Sequence, residues 1–307
     1  DSSAQRTKAQ RPNEPAMTYL PDLPEDLPEH PPGWRDVVAE SRFALEWLRS
    51  KRLGERVVRD LPRGDGETVM LLPGYGASEQ NMQALAQRLS ALGYEALQWE
   101  QGKNTGAVHK LLPKLKLRVE AIVARTGKPI TLVGWSLGGY IARELARDLP
   151  DAIAGVVTLG SPAVGGPKYT ITAAAYRKKG FDLDAIEAEM AKRDVIPILC
   201  PLTVLFSKVD GIVSWPATLD RLTPQARHVE VRSSHSVWYT MPRCFAPSPM
   251  CWRISAVCLS ARRAGPAGVC RSAGCHHHAA AGRCAGSGCC LYEEHLYEAR
   301  SCQKRQV

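Results

Sequence analysis

The sequence GWSLG at residues 134–138 places Ser136 between two glycines, directly after the apolar run ITLV. This G-x-S-x-G spacing is typical of a nucleophile elbow, a sharp strand-to-helix turn that exposes a serine hydroxyl. Gly134 and Gly138 would let neighbouring backbone pass close to that turn. Leu137 opens a helical pattern, so its N–H would lie at a helix N-terminus and favour an oxyanion. The motif predicts nucleophilic catalysis by Ser136; a glycine-rich turn without chemistry is the alternative.

A second apolar run, TVMLL, ends in the sequence PGYGAS at residues 73–78. A turn at this point could direct the backbone N–H of Tyr75 toward Ser136. With the N–H of Leu137 it would form an oxyanion hole, which stabilises the negative charge of a tetrahedral intermediate. A plain strand-to-helix turn is the alternative, since glycine is expected there in either case.

Two further strand-like runs are followed by an acid and a base. Asp210 comes after LTVLF and is the candidate acid; Asp220 is its rival, further along the chain. His235 comes after HVEV, whereas His228 opens that run and would lie at the opposite edge of the sheet. The order Ser, Asp, His is that of a hydrolytic triad. A solvated aspartate and a surface histidine are the alternatives.

Strand-like runs alternate with amphipathic helical patterns, which predicts a mostly parallel sheet with helices on both faces. The carboxyl ends of parallel strands share one edge, where ligands bind. We therefore expect Ser136, Asp210 and His235 to meet there. The predicted strands are 68–72, 95–99, 131–134, 155–159, 202–206 and 228–231, and the predicted helices are 34–53, 78–92, 107–125 and 137–148.

An insertion at residues 163–196 separates two of these strands on the active edge. It contains the helical stretch DLDAIEAEMAK at 182–192. The position predicts a small helical lid over an apolar acyl pocket. A helical excursion without that role is the alternative.

The composition divides the chain into three parts: a proline-rich leader at 1–33, expected to be extended or disordered, a core at 34–242, and a Cys-, Arg- and Ala-rich tail at 243–307. The net charge of +9 is concentrated in the tail, so the core has no basic face that would indicate a nucleic-acid partner. No apolar run reaches membrane-spanning length, no secretory signal is visible, and Cys200 is alone before the tail. These features predict a cytoplasmic protein in a reduced compartment.

The tail holds nine of the ten cysteines and lacks clear periodicity. Three hypotheses account for it. A frame-shifted read of a GC-rich gene explains the abrupt change best, and a genuine cysteine-rich, disulfide-bonded tail is the second. A metal site on Cys275 and the histidines at 276–278 is the third, but no CxxC pair or zinc-type spacing accompanies it. The spacing therefore predicts no metal site.

Six stretches in order resemble the α/β-hydrolase superfamily, and more narrowly its bacterial lipase and esterase-like members: LLPGYGAS, QWEQGKNTG, LVGWSLGGYIARELA, VVTLGSP, VLFSKVDGIVSW and VRSSH. They lie in register over residues 62–236. The resemblance implies an α/β-hydrolase fold, a Ser136–Asp210–His235 triad and ester hydrolysis without a cofactor. It also implies an oxyanion hole at Tyr75 and Leu137. One departure follows His235, where such proteins usually carry a small residue, often glycine, and then a closing helix.

The resulting hypothesis is a serine carboxylic-ester hydrolase, an esterase or lipase, that acts on a hydrophobic ester through an acyl-enzyme. Its substrate would be a small molecule or a lipid, with contact to a lipid–water interface but no transmembrane segment. An acyltransferase could capture the same acyl-enzyme with an alcohol instead of water. From a different class comes a catalytically impaired α/β scaffold that only binds.

Overall fold

The structure, a computed structural model, describes residues 18–20, 23, 29–42 and 63–237. The tail at 243–307 and most of the predicted leader lie outside the described residues. The described part is built around one sheet, with helices on both of its faces.

Seven strands form this sheet within the described residues, in the order β1-β7-β6-β5-β4-β2-β3. Strands β2 to β7 are parallel, whereas β1 pairs antiparallel with β7. The carboxyl ends of β2, β4, β6 and β7 therefore lie at one edge. The strands are β1 (Thr18–Leu20), β2 (Thr68–Leu72), β3 (Glu95–Gln98), β4 (Ile130–Trp135), β5 (Ile153–Leu159), β6 (Leu202–Phe206) and β7 (Arg227–Glu230).

Alternate residues of each buried strand face two separate hydrophobic clusters, because successive side chains of a strand point to opposite faces. Val69 and Leu71 of β2 join a cluster with the helix Glu79–Ala91 (α2). Met70 and Leu72 join the second cluster, with the helices Val108–Thr126 (α3) and Leu137–Asp148 (α4). The predicted α/β-hydrolase fold, a mostly parallel sheet with flanking helices, is confirmed.

The helices begin and end where local chemistry favours it. Ser78 precedes α2 and forms a capping box with Asn81, whose Oδ1 accepts the Ser78 N–H at 2.9 Å. Gly127 ends α3 in the left-handed conformation at φ 67°, which glycine adopts without a steric penalty. The observed bounds of β2 to β7 and of α2 to α4 agree with the sequence prediction within two residues.

The insertion at 163–196 is helical, as the sequence predicts. It contains a 3-10 turn at Gly166–Tyr169 and the helices Ala173–Lys178 (α5) and Leu183–Asp194 (α6). Asp182 caps α6, accepting the N–H groups of Asp184 and Ala185 at 2.9 and 3.1 Å.

The described residues ahead of β2 form a strand, a helix and a 3-10 turn. β1 lies inside the proline-rich leader, and its pairing with β7 is not foreseen by the proline pattern. Residues 34–42 of the predicted helix at 34–53 are helical: the α-helix Trp34–Ala39 (α1) tightens to a 3-10 turn at Glu40–Arg42. At this turn the Glu40 side chain bonds to loops of the sheet edge. Residues 43–53 lie outside the described residues.

Candidate active site

Ser136 lies between the end of β4 and the first residue of α4, with φ 52° and ψ −124°. A positive φ is costly for a residue with a Cβ, on the order of 1–3 kcal/mol, and such strain is concentrated at functional sites. The Ser136 N–H donates to the carbonyl of Leu159 on β5 at 2.9 Å, which ties the turn to the neighbouring strand.

Two glycines make this turn possible by letting backbone segments touch. A Cβ on Gly134 would lie 2.4 Å from the backbone of Gly138, and one on Gly138 would lie 2.1 Å from the carbonyl oxygen of Leu72. The second contact brings the start of α4 against the end of β2. The turn that contains Tyr75 therefore adjoins the turn that contains Ser136.

Residues 73–77, the Tyr75 loop, follow β2 and approach Ser136 closely. The position of a Cβ on Gly74 would lie 3.1 Å from the Ser136 Cβ. Within residues 63–237 the N–H groups of Tyr75 and Leu137 donate to no protein acceptor. The two backbone donors that the sequence assigns to an oxyanion hole thus have no protein acceptor in this part of the chain.

Asn104, which sequence reasoning did not single out, holds the Tyr75 loop through hydrogen bonds. It is fully buried, and its Nδ2 donates to the carbonyl of Pro73 at 2.8 Å. Its backbone carbonyl accepts the Gly76 N–H, and its N–H donates to the carbonyl of Ala77, both at 2.8 Å. One residue therefore satisfies three backbone groups of the loop. The signal in the sequence was only a polar residue in the turn GKNTG.

Asp210 and His235 meet at the carboxyl edge of the sheet. The His235 Nδ1 donates to Asp210 Oδ2 at 2.7 Å, and both side chains are buried. The other oxygen, Oδ1, accepts the N–H groups of Ile212 and Val213, each at 2.9 Å. These bonds fix the carboxylate so that it orients the imidazole with Nε2 as the free nitrogen.

The rival residues Asp220 and His228 form a separate structural pair. Asp220 is buried in an ion pair with Arg143, and its N–H donates to His228 Nε2 at 3.1 Å. Burial opposes the ionisation of Asp220, but Arg143 and hydrogen bonds from Thr223 and Leu222 hold its pKa below the usual value. Desolvation lowers the pKa of His228 to about 4. The two residues that the sequence ranked below Asp210 and His235 thus have structural partners of their own.

Trp135 connects His235 to the serine turn. Its Nε1 donates to the His235 carbonyl at 3.2 Å, and the two rings lie 5.6 Å apart between centroids. Within the described residues no hydrogen bond joins the Ser136 hydroxyl to the His235 ring. Catalytic hydrogen bonds of this kind often tighten only when the substrate is bound. The structure thus joins the acid to the base, and joins the base to the residue next to the serine.

The insertion reaches from the Asp210 loop (residues 207–214) to the Tyr75 loop. Its Ile171 N–H donates to the carbonyl of Ile212 at 3.0 Å, and Thr170 pairs with Val213. On the other side the Tyr176 ring lies 6.5 Å from the Tyr75 ring. Phe181 packs 5.4 Å from Tyr176. Burial and the neighbouring Tyr75 raise the pKa of Tyr176.

The family comparison gives one decisive match. The family model described as "Alpha/beta hydrolase family" matches residues 47–266, more than half of the chain. The chain belongs to the alpha/beta hydrolase family. A comparison with curated proteins gives no match.

Solved structures of the same fold are similar to this alpha/beta hydrolase at low identity. A monoacylglycerol lipase of Paleococcus ferrophilus is 18% identical, with a TM-score of 0.48; the match covers 66% of this chain and 97% of that one. A protein of Acinetobacter baumannii AYE named lip1 is 20% identical, with a TM-score of 0.49, over 67% and 88% of the two chains.

The remaining sequence predictions concern metals and membranes. Among the described residues, no three or more His, Cys, Asp or Glu side chains are grouped so that they could hold a metal ion. Cys275 and the histidines at 276–278 lie outside that part. No helix in the described ranges is long and apolar enough to cross a bilayer.

Proposed function

We propose that this alpha/beta hydrolase is a serine carboxylic-ester hydrolase whose triad is Ser136, Asp210 and His235. The observation that carries the proposal is the buried Asp210–His235 hydrogen bond of 2.7 Å, at the same sheet edge as a serine with φ 52°. A carboxylate that orients a histidine next to a strained serine is the arrangement required for acyl transfer.

In the proposed mechanism, the Ser136 oxygen attacks the ester carbonyl carbon while His235 Nε2 accepts the serine proton. Asp210 stabilises the imidazolium that results, through the bond to Nδ1. The carbonyl oxygen becomes an oxyanion and accepts hydrogen bonds from the N–H groups of Tyr75 and Leu137. These two donors, which have no protein acceptor in the described residues, support that assignment.

The tetrahedral intermediate then collapses, and His235 donates its proton to the leaving alcohol. An acyl group remains on Ser136. Water attacks this ester with His235 again as the base, which releases the acid and restores the serine. No step requires a cofactor, because every proton and electron pair is handled by these three side chains and two backbone donors.

Exposed aromatic side chains near the candidate site support a hydrophobic substrate. Tyr75 and Phe181 are 45% and 44% exposed, although both are large and apolar, and Tyr176 lies between them. Ile171 is exposed on the same insertion. Exposed apolar side chains beside a candidate site favour a ligand that covers them, such as an acyl chain or a lipid at its interface with water.

The first experiment is fluorophosphonate labelling of the purified full-length chain, read by intact mass and peptide mapping. We expect a single adduct on Ser136 that is absent in Ser136→Ala and retained in Ser90→Ala, since Ser90 is an exposed serine of α2. The labelled wild type is then assayed with p-nitrophenyl acetate, butyrate and octanoate. We expect kcat/KM to rise with acyl chain length because the longer acyl chains cover the side chains of Tyr75, Tyr176 and Phe181.

Two results would count against the proposal. A folded wild-type protein that takes no label would support the binding scaffold without an assembled triad. Labelling of Ser136 together with equal rates on all three esters would retain the serine hydrolase and remove the hydrophobic-substrate assignment.

A further inference from the structure

A carboxylate from the 3-10 turn after α1 lies between the two loops that carry the candidate acid and base. Glu40 Oε1 accepts the N–H of Gly211 at 2.9 Å and the N–H of His235 at 2.8 Å. Its Oε2 accepts the N–H of Ser236 at 3.3 Å. These donors belong to the Asp210 loop and to residues 231–236, the His235 loop.

The Glu40 side chain is partly buried at this junction. Backbone N–H groups that bond to a carboxylate form charge-assisted hydrogen bonds, which are stronger than those to a neutral acceptor. A single Glu40 oxygen takes both Gly211 and His235. One oxygen atom therefore bridges the two loops, in addition to the Asp210–His235 bond and to the Ser233 N–H, which donates to Ser207 Oγ at 3.3 Å.

The packing around Gly211 gives an independent reason to expect a specific contact. A Cβ at Gly211 would lie 2.2 Å from the carbonyl oxygen of Asp36 and 2.8 Å from the Cγ of Glu40. The backbone of α1 is therefore pressed against the Asp210 loop at a position that only glycine accommodates. This close approach brings Glu40 within hydrogen-bond distance of both loops.

We propose that Glu40 is a positioning residue of the acid–base pair, in addition to the triad of the proposed function on which this inference rests. It contacts neither the substrate nor the reacting atoms. By bonding to the residue after Asp210 and to the backbone of His235, it holds the carboxylate and the imidazole in a fixed relation. A displacement of about 1 Å at such a pair costs on the order of 100-fold in rate.

The test compares Glu40→Ala and Glu40→Gln with the wild type and with Glu67→Ala. Glu67 is a matched control because its carboxylate also accepts a backbone N–H, from Asp65. It lies just ahead of β2, at the amino end of that strand, away from the candidate site. Gln at position 40 keeps Oε1 as an acceptor for Gly211 and His235, but loses the negative charge and the acceptor for Ser236.

The first readout is amide hydrogen exchange of peptides that cover residues 207–214 and 231–237, which needs no activity. We expect faster exchange at both loops in Glu40→Ala. In Glu67→Ala both loops should exchange at the wild-type rate. In Glu40→Gln the N–H groups of Gly211 and His235 should also exchange at the wild-type rate. The second readout is ester hydrolysis. We expect kcat to fall about 100-fold in Glu40→Ala with KM little changed, and Glu40→Gln to recover most of kcat.

Gly211→Ala is the second variant, in case Glu40→Ala lowers the yield of folded protein. It retains the carboxylate but forces α1 away from the loop, so the same two peptides should exchange faster. Unchanged exchange at both loops in Glu40→Ala would overturn the inference. So would equal kcat in Glu40→Ala and the wild type. If the wild type takes no fluorophosphonate label, the proposed function fails, while the exchange data still decide whether Glu40 tethers the loops.

Discussion

The two sides of the candidate site are held in different ways. The Tyr75 loop is held by Asn104, which lies only 31 residues after Pro73, in the loop that follows the neighbouring strand β3. The Asp210 and His235 loops are held by Glu40, which lies 171 and 195 residues away from its Gly211 and His235 partners and ahead of the parallel strands. The candidate oxyanion side therefore depends on contacts between residues close in sequence, whereas the candidate acid–base side depends on a distant segment ahead of β2.

The largest effect is expected on the acid–base side, from Asp210→Asn. The amide would hold the imidazole in the wrong tautomer, and the corresponding change in a triad lowers kcat about 10⁴-fold. The measurement is kcat on p-nitrophenyl butyrate, with the free energy of unfolding from urea titration.

The matched control is Asp220→Asn. Both aspartates are buried and accept two backbone N–H groups, but Asp220 pairs with Arg143 instead of a histidine. We expect this variant to lose stability because the buried Arg143 loses its shorter ion pair and keeps only Asp194, at 3.8 Å, as a carboxylate partner. Its kcat per folded molecule should remain near that of the wild type. The reverse pattern would make Asp220 the acid.

A smaller effect is expected on the oxyanion side, from Asn104→Ala. The variant leaves the Pro73 carbonyl without its donor, so the Tyr75 N–H should shift and kcat should fall about 100-fold. Asn81→Ala is the control, because Asn81 also bonds to nearby backbone, at Ser78, but caps α2 outside the loop. Equal kcat in both variants would show that Asn104 does not position the loop.

A double variant tests whether the two sides of the candidate site are held independently. If they are held independently, the losses in kcat of Asn104→Ala and Glu40→Ala should multiply in the double variant. A double variant no slower than Glu40→Ala alone would mean that both residues support one cooperative unit.

The smallest effect concerns His228, at the opposite edge of the sheet, and it should change stability alone. Its pKa is lowered from 6.5 to about 4 in the folded protein, so the unfolded chain binds the proton first as the pH falls. The contribution of neutral His228 to the free energy of unfolding is therefore fully present above about pH 6.5. It decreases as the pH falls toward 4, by about 3 kcal/mol in total.

His228→Gln keeps an acceptor for the Asp220 N–H but does not titrate. We expect urea unfolding curves of this variant to lose less stability between pH 7 and about 4.5 than those of the wild type. His109→Gln, an exposed position on α3, should follow the wild type. An equal pH dependence in all three proteins would exclude a buried neutral His228.

Much of this architecture follows from the sequence because it is local. Alternating apolar runs and amphipathic helices predicted β2 to β7 and α2 to α4, and the G-x-S-x-G spacing predicted the turn at Ser136. The Asp210 and His235 candidates followed from their places after β6 and β7. Asp210 could be ranked above Asp220 only by position in the chain, without knowledge of Arg143.

The contacts made by Glu40 and Asn104 could not be predicted in the same way. A glutamate in a helical pattern and an asparagine in a turn are ordinary residues at ordinary positions. Their importance arises from tertiary packing, such as the approach of α1 to Gly211. The pairing of β1 with β7 likewise depends on residues more than 200 positions apart, which no local pattern encodes.

The backbone of Ser136 has a consequence for how this protein could change over evolutionary time. At φ 52° and ψ −124°, the position would be more relaxed with glycine, which lacks the Cβ that makes such angles costly. Selection for thermal stability alone would therefore favour replacement of the serine. Serine at this position, between two glycines whose added Cβ atoms would clash with backbone, therefore gives up stability for the reactivity that the proposed function requires.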